Sequence, residues 1–190
     1  VGNRYLLKPL VNFYRGVADY YLLALSQNKT RLYYGNRYEM NEIDMGEMID
    51  NIDDFMEFED PEKQLQYHTG KVDPSGKRSA MFHGHGMGGD DLTRENYILR
   101  FYQNVDNEIS TKIAGSNSPL ILAGIESNIP IYKEANSYNN MLDNAIKINP
   151  DDLKPRELHK SAVEIINDYS ERIQKKAIAK YNDSKGTGKA

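Results

Sequence analysis

The sequence predicts an α/β protein with a mixed five-stranded sheet, and three patterns support this fold class. Three short apolar or alternating segments follow one another between residues 20 and 44, with turn residues between them. Helical and strand patterns then alternate as far as residue 181. Consecutive short strands form antiparallel hairpins, whereas strands separated by helices pair in parallel, so one mixed sheet with helices on its faces is expected.

The first strand pair is the clearest local signal in the chain. Tyr20 to Leu25 is an uninterrupted apolar run, which is typical of a strand buried on both faces. Gln27-Asn28-Lys29 forms a turn, and Thr30 to Tyr34 returns beside the first strand. Tyr38 to Asp44 alternates between apolar and polar residues and predicts a third antiparallel strand.

The second half predicts a helix from Leu92 to Ile113, stopped by Gly115, because its apolar residues recur at three-to-four spacing. Pro119 to Gly124 is a short apolar strand that we expect to be central and parallel. Three further elements complete the prediction: a helix from Ile129 to Leu142, an edge strand from Ala145 to Ile148, and a last helix from Pro155 to Tyr181. This order of elements is ribonuclease-H-like.

The spacing of apolar residues predicts which side of the last helix is buried. The apolar residues that repeat along one face of it are Leu158, Ala162, Ile165, Tyr169, Ile173 and Tyr181.

The composition excludes several classes of protein. The 190 residues contain no cysteine, which rules out a disulfide scaffold and a cysteine-ligated zinc site. The formal net charge of -4 gives no overall basic signature for nucleic acid. No apolar run approaches the roughly 18 residues of a membrane span, and no signal peptide is visible. We therefore expect a cytoplasmic protein that does not enter a membrane.

The chain divides into three expected parts. Residues 1–18 form a lead-in segment, residues 19–182 form the domain, and residues 183–190 read as a linker. Because the chain begins with Val1 and ends in a glycine- and lysine-rich tail, we expect a fragment of a longer protein.

An acidic run begins within the predicted third strand and extends from residue 39 to residue 62. No lysine or arginine interrupts it, and its members are Glu39, Glu42, Asp44, Glu47, Asp50, Asp53, Asp54, Glu57, Glu59, Asp60 and Glu62. Such a run usually marks a solvated face, here with a short helix. It could also repel RNA phosphates or bind a basic partner.

The most distinctive stretch is glycine-rich and stands directly before the helix predicted at Leu92. Glycine runs permit close approach of the backbone to a ligand. Its docking candidates are His83, Gly84, His85, Gly86, Gly88, Gly89, Asp90 and Asp91. The preceding loop is locally basic, and the candidates for contact with RNA are Lys71, Lys77, Arg78 and Arg94.

Three chemical interpretations of this stretch remain open. In the first, Asp90 or Asp91 caps the helix, with Asp91 favoured because it is nearest Leu92. In the second, His83 and His85 with the two aspartates hold zinc or manganese in a metal-dependent hydrolase, which His68 and His159 could join only through folding. In the third, the loop docks a partner. A dinucleotide fingerprint is disfavoured because no buried strand precedes the glycines.

Five segments together resemble one family. They are Tyr21–Asn28, Phe82–Gly86, Pro119–Gly124, Pro130–Asn136 and Glu157–His159. The set is similar to the bacterial and archaeal branch of the archaeo-eukaryotic class I release factor superfamily. The resemblance covers the chain from about Tyr20 to Tyr181.

The resemblance implies a ribonuclease-H-like middle domain that engages the ribosome or tRNA. Termination factors of the superfamily carry a Gly-Gly-Gln loop before a long helix, and Gly88-Gly89-Asp90 stands in the matching place. Those factors have a neutral amide at this position, whereas this chain has Asp90. The negative charge of Asp90 is unfavourable beside RNA phosphates. The resemblance therefore supports engagement of the ribosome or tRNA better than peptide release. We expect no cofactor and no bound metal. A metal-dependent hydrolase and a protein-interaction domain are the alternatives.

Overall fold

The chain folds around one five-stranded sheet that has helices on both faces. The computed structural model describes residues 19–59 and 89–186, without the side chains of residues 59, 89–94, 177 and 180–186. The strands are β1 (Tyr20–Leu25), β2 (Arg31–Gly35), β3 (Met40–Glu42), β4 (Leu120–Gly124) and β5 (Met141–Ile146). The helices are α1 (Ile52–Glu59), α2 (Gly89–Lys112), α3 (Asn128–Ala135) and α4 (Pro155–Gly186), and a 3-10 turn (Pro150–Asp152) precedes α4.

The strand order across the sheet is β3-β2-β1-β4-β5. The first three strands are antiparallel, whereas β1, β4 and β5 run parallel. Tyr21 of β1 pairs with Tyr34 on one side and with Leu120 on the other. The predicted α/β class and mixed five-stranded sheet are confirmed, as is the central, parallel position of β4. The arrangement is consistent with the ribonuclease-H-like order of elements.

The two faces of β1 build two cores, because successive residues of a strand point to opposite sides. Leu23 and Leu25 belong to the core under α1, α2 and α3. Leu22 and Ala24 belong to the core under α4. Burial of each leucine stabilises the fold by about 2 kcal/mol. The uninterrupted apolar run is therefore a strand buried on both faces, as predicted.

Two positions require glycine because of the local geometry. A Cβ atom at Gly35, the last residue of β2, would lie 2.8 Å from the Tyr20 hydroxyl oxygen, so only glycine lets that ring pass. Gly115 has φ of 79°, a left-handed conformation that side chains rarely adopt. It follows the end of α2, so the predicted stop of this helix is confirmed.

The prediction for the segment from Ile129 to Leu142 was wrong in its second half. The helix ends at Ala135, and Met141 and Leu142 begin β5, four residues before the predicted Ala145. The apolar spacing suited a helix, but tertiary contacts decide otherwise. The Ser137 backbone N–H donates to a carboxylate of α2 rather than to a helical carbonyl, and Leu120 pairs with Met141 across the sheet.

Other boundaries moved by smaller amounts. Helix α2 begins at Gly89, three residues before the predicted Leu92, and β3 keeps only Met40–Glu42 of its predicted span. On α4, Ile166 rather than Ile165 is fully packed, and Ile173 is 48% exposed because the helix continues past the sheet. None of the helices among residues 19–59 and 89–186 is both long and apolar enough to cross a bilayer.

Candidate functional site

The carboxyl ends of β1, β4 and β5 lie at one edge of the sheet, called the carboxyl edge below. Ser26 follows β1, Ile125 follows β4 and Lys147 follows β5. Helix α1 begins at the same edge, because the Ile52 backbone N–H donates to the Gln27 carbonyl at 2.9 Å. Open sheets with parallel strands bind ligands at this edge, since the connections that leave the strands meet there.

Asp151, in the turn before α4, joins three groups at the carboxyl edge. Its Oδ1 accepts from Arg31 Nη2 at 2.8 Å, and its Oδ2 accepts from Asn28 Nδ2 at 3.2 Å and from Ser26 Oγ. Ser26 is only 4% exposed, and its Oγ also accepts the Asn28 backbone N–H at 3.1 Å. A guanidinium balances the carboxylate charge, so the cluster fixes the β1–β2 turn to the segment that leads into α4.

The Asp151 cluster is a structural tie rather than a nucleophilic site. Nucleophilic serines are activated by an adjacent base, most often an imidazole. In the described hydrogen bonds no histidine reaches Ser26, whose hydroxyl already donates to Asp151. His159 lies elsewhere, with its Nε2 2.9 Å from the carbonyl oxygen of Asn36.

Helix α2 starts at the carboxyl edge and runs back along the sheet. Its last residue leads through a short loop to Leu120, at the amino end of β4, so its first residue lies toward the opposite edge. Its buried side chains extend from Ile98 to Ile113, about 23 Å, which is enough to cover strands of five or six residues. The nine residues from Gly89 to Tyr97 add about 13 Å at the carboxyl edge.

The part of the chain that forms this sheet also decides its family. Residues 20–168 match the model of the bacterial archaeo-eukaryotic release factor family 7. The chain belongs to this family. The match begins at the first residue of β1 and ends within α4, so it includes all five strands. No curated protein matches the chain. Membership of a release-factor family supports a translation-related role.

The predicted docking residues of this family 7 chain fall mostly outside the described residues. These are His83, Gly84, His85, Gly86 and Gly88, together with the RNA-contact candidates Lys71, Lys77 and Arg78. The backbones of Gly89, Asp90, Asp91 and Arg94 lie in the first turns of α2, at the carboxyl edge. Asp90 and Asp91 are thus inside the helix rather than before it, and a capping role for their carboxylates stays a prediction.

The described residues offer no group of side chains that could form a metal site. Residues 19–59 and 89–186 contain no cluster of three or more His, Asp or Glu side chains that could hold an ion. His159, which the sequence left as a possible additional ligand, uses Nε2 on the Asn36 carbonyl. His68 lies outside the described residues, as do His83 and His85.

A buried carboxylate that was not among the predicted site residues holds α2 in place. Asp106 is 2% exposed and accepts from the Tyr132 hydroxyl at 3.0 Å, the Ser137 backbone N–H at 2.9 Å and the Ser137 hydroxyl at 2.6 Å. Burial, and then the negative charge of Asp106, raises the pKa of Tyr132 well above its ordinary value. The contact ties the middle of α2 to α3 and to the segment that follows α3.

A signal for Asp106 was present in the sequence. It stands four residues after Tyr102 and three before Ile109, both fully buried, so helical geometry puts it on the apolar side of α2. Acids are almost never fully buried unless partners satisfy them. An isolated acid at such a position therefore indicates a buried hydrogen-bond network, here with Tyr132 and Ser137.

The acids of α1 whose side chains the structure describes face solvent. Asp53, Asp54 and Glu57 of α1 are exposed, while Phe55 of the same helix is 4% exposed and packs against Phe101 of α2. The prediction of a solvated face with a short helix is confirmed for α1. Because α1 begins at the carboxyl edge, negative charge lies to one side of the point where α2 starts.

Proposed function

We propose that this chain is a translation-associated module of the release-factor type, which engages the ribosome or tRNA in the cytoplasm through residues 63 to 91. The observation that carries the proposal is the length of α2. Nine residues beyond those needed to cover the strands hold the end of the glycine-rich stretch away from the sheet, at the edge where ligands of such sheets bind.

The physical argument concerns reach and rigidity. Helix α2 is fixed along its middle by Asp106 and by buried side chains such as Phe101 and Val105, so its first turns have a defined direction. A glycine-rich segment at the start of such a helix lets backbone N–H groups approach an RNA closely. The acids of α1 repel phosphates from one side and restrict the orientation of the RNA.

Binding is proposed without peptide release. The superfamily's termination factors use a neutral amide in the position of Asp90, by resemblance. A carboxylate there cannot donate a hydrogen bond when ionised, and its charge is unfavourable close to RNA phosphates. The proposed activity is therefore recognition of a ribosomal state rather than hydrolysis of peptidyl-tRNA.

Co-sedimentation with bacterial ribosomes tests the binding. The chain is expected to pellet with ribosomes, and replacement of Lys77 and Arg78 by Gln is expected to weaken binding about tenfold, because two phosphate contacts are lost. Replacement of Lys175 and Lys176, both exposed far along α4, changes the net charge equally and serves as the matched control. Ribosome binding that the first pair leaves unchanged, or that is absent in the parent chain, contradicts the proposal.

A release assay tests the chemistry separately. Ribosomes that hold peptidyl-tRNA are expected to release no peptide when the chain is added. Peptide release that Asp90→Ala abolishes would show that the chain is a hydrolase. Elemental analysis of the purified protein adds a third arm, since stoichiometric zinc or manganese would support the metal-dependent alternative built on His83 and His85.

A further inference from the structure

Three partly exposed tyrosines lie side by side at the amino edge of the sheet, the edge at which β1 and β4 begin. The ring centroids of Tyr21 and Tyr34 are 5.3 Å apart. The Tyr138 hydroxyl donates to the Ser118 carbonyl oxygen at 2.7 Å. Ser118 lies two residues before Leu120, which pairs with Tyr21 across the sheet. We call Tyr21, Tyr34 and Tyr138 the tyrosine patch.

The tyrosine patch is on the α2 side of the sheet, and its outer surface is open to solvent. Tyr21 and Tyr138 pack against the core under α1, α2 and α3. Tyr34 lies on the same face of the sheet as Leu32, because the two residues are two positions apart on β2. Leu32 is fully buried, whereas Tyr34 is 39% exposed. This face of β2 is therefore covered toward the carboxyl edge and uncovered at the amino edge.

The chain enters the sheet directly beside the tyrosine patch. Asp19 precedes β1 by one residue, and its carboxylate lies at the Tyr34 hydroxyl. Partial burial, and then the hydrogen bond with Asp19, raises the pKa of Tyr34. Residues 1–18 thus join the domain at the border of the patch.

Residues 1–18 lie outside the described residues, but their composition favours burial. Ten of the eighteen residues are apolar, which is more than half, compared with 39% for the whole chain. The segment contains three cations and no acid. Chains that remain disordered are poor in apolar residues, and burial of one large apolar side chain contributes about 1.5–3 kcal/mol. A segment of this composition is stabilised by an apolar surface within its reach.

The size of the tyrosine patch favours an occupant that is joined to the domain over a separate protein. An aromatic side chain offers about 150–250 Å² when it is fully exposed, and the three rings of the patch are partly buried. The available area is therefore below the roughly 800 Å² that each partner buries in a stable complex. A joined segment binds intramolecularly, at an effective concentration on the order of millimolar, so a smaller contact is sufficient.

We propose that residues 1–18 pack across the tyrosine patch, with their apolar side chains on the rings of Tyr21 and Tyr34. The folded domain then begins before β1, and the segment expected to be a lead-in is part of it. The segment covers the face of the sheet that the described helices leave open at the amino edge. The inference concerns only this edge and does not rest on the proposed ribosome binding.

Limited proteolysis of the full chain tests the proposal. Trypsin cleaves after Arg15, and packing of the segment protects this bond because cleavage requires local opening. In the parent chain, cleavage after Arg15 is expected to be at least tenfold slower than in a synthetic peptide of residues 1–18. Tyr34→Thr removes the exposed ring from the patch and should raise the cleavage rate at least fivefold.

Ile148→Thr is the matched control for Tyr34→Thr. Ile148 is 46% exposed and follows β5 at the carboxyl edge, a strand length of about 20 Å away from the tyrosine patch. The substitution removes a similarly exposed apolar side chain and introduces the same residue. Cleavage after Arg15 should therefore stay within twofold of the parent rate.

A second variant tests the segment side of the contact. Replacing Leu6, Leu7 and Leu10 by Ser removes apolar surface from the segment and should also raise cleavage after Arg15 at least fivefold. Combining this variant with Tyr34→Thr should give no further increase beyond the faster of the two, because the same packing is lost only once. Multiplied rates would show that the two sites act independently and would contradict the proposal.

Three further outcomes would overturn the proposal. They are cleavage of the parent chain as fast as that of the free peptide, a rate that Tyr34→Thr leaves unchanged, and an equal increase with Ile148→Thr. Protection that rises with protein concentration, together with a dimer in analytical ultracentrifugation, would assign the tyrosine patch to a second copy of the chain and would also reject residues 1–18 as its occupant.

Discussion

Asp106 and Asp151 hold two regions of the molecule together by different means. Asp106 is 2% exposed and is satisfied by the neutral donors of Tyr132 and Ser137, and no cation pairs with it among the described residues. Asp151 lies at the carboxyl edge with 26% of its side chain exposed, and Arg31 neutralises it at 2.8 Å. One carboxylate depends on a closed network, and the other depends on an ion pair that water can reach.

The two carboxylates join different parts of the molecule. Asp106 ties the middle of α2 to α3 and so fixes the direction in which the start of α2 points. Asp151 fixes the β1–β2 turn to the segment before α4. A buried network is lost as a unit when one member is removed, whereas water replaces an edge contact at smaller cost.

The largest effect is expected at Asp106. Asp106→Ala leaves the Tyr132 hydroxyl and the Ser137 N–H without their acceptor, and each unsatisfied buried donor costs about 1–3 kcal/mol. The free energy of unfolding, measured by denaturant melts, should therefore fall by about 3 kcal/mol or more. Tyr132→Phe removes one donor and should cost about 1 kcal/mol.

Asp143 supplies the matched control for this experiment. It is an exposed aspartate of β5, and Asp143→Ala should change the free energy of unfolding by less than about 0.5 kcal/mol. An Asp106→Ala variant as stable as the Asp143→Ala variant would show that the network does not hold α2.

The second effect, at Asp151, should be smaller. Asp151→Ala removes the acceptor of Arg31, Asn28 and Ser26, but water can reach the edge and replace part of the interaction. We expect a loss of about 1–2 kcal/mol in denaturant melts. A loss as large as that at Asp106 would contradict the distinction between the two regions. Combining Asp151→Ala with Arg31→Gln should cost less than the sum of the single changes.

Much of the sheet could be predicted because its strands carry their own signals. The run Tyr20–Leu25 is apolar at every position, so it fits only a strand covered on both faces, and its bounds were confirmed. Helix α3 shows the limit. Met141 and Leu142 continue its helical spacing, yet the chain leaves the helix at Asn136 and pairs with β4. Local spacing does not contain that long-range pairing.

Contacts between distant parts of the chain were harder to predict from the sequence for the same reason. Asp151 lies 120 residues from Arg31 along the chain, and the β2–β3 turn meets α4 through the contact of Asn36 with His159. The glycine-rich stretch is local, so its composition stood out without a structure. Clusters assembled by folding carry no comparable signal, except where an acid such as Asp106 interrupts an apolar helix face.

The third prediction uses alkaline pH to test the buried region, where Tyr132 donates to Asp106. Burial raises the pKa of Tyr20, Tyr102 and Tyr132 above the ordinary value of 10. The folded chain therefore keeps protons that the unfolded chain loses above pH 10. Stability should be constant below about pH 9 and fall above pH 10, by up to about 1.4 kcal/mol per pH unit for each tyrosine.

Tyr102→Phe sharpens this pH test. The Tyr102 hydroxyl is buried and has no hydrogen-bond partner in the described part of the chain, so its removal should not lower stability at pH 7. The variant should lose stability less steeply above pH 10 than the parent. Tyr38→Phe, which removes an exposed hydroxyl, should leave the slope unchanged. Equal slopes for all three proteins would mean that the core tyrosines do not control alkaline unfolding.

The smallest effect is expected for the exposed ion pair beside the carboxyl edge. Lys147 Nζ lies 2.8 Å from Glu126 Oε1, and this contact lowers the pKa of Glu126. A lowered carboxyl pKa gives a contribution that is present at neutral pH and is lost as the pH falls through the folded value. Both side chains are exposed, so water and salt screen the pair, and Lys147→Gln should leave the denaturant midpoint unchanged. In an NMR titration the same variant should return the Glu126 pKa toward its ordinary value. A clear loss of stability would show that proximity to the carboxyl edge, rather than burial, decides how strongly a charge holds this fold.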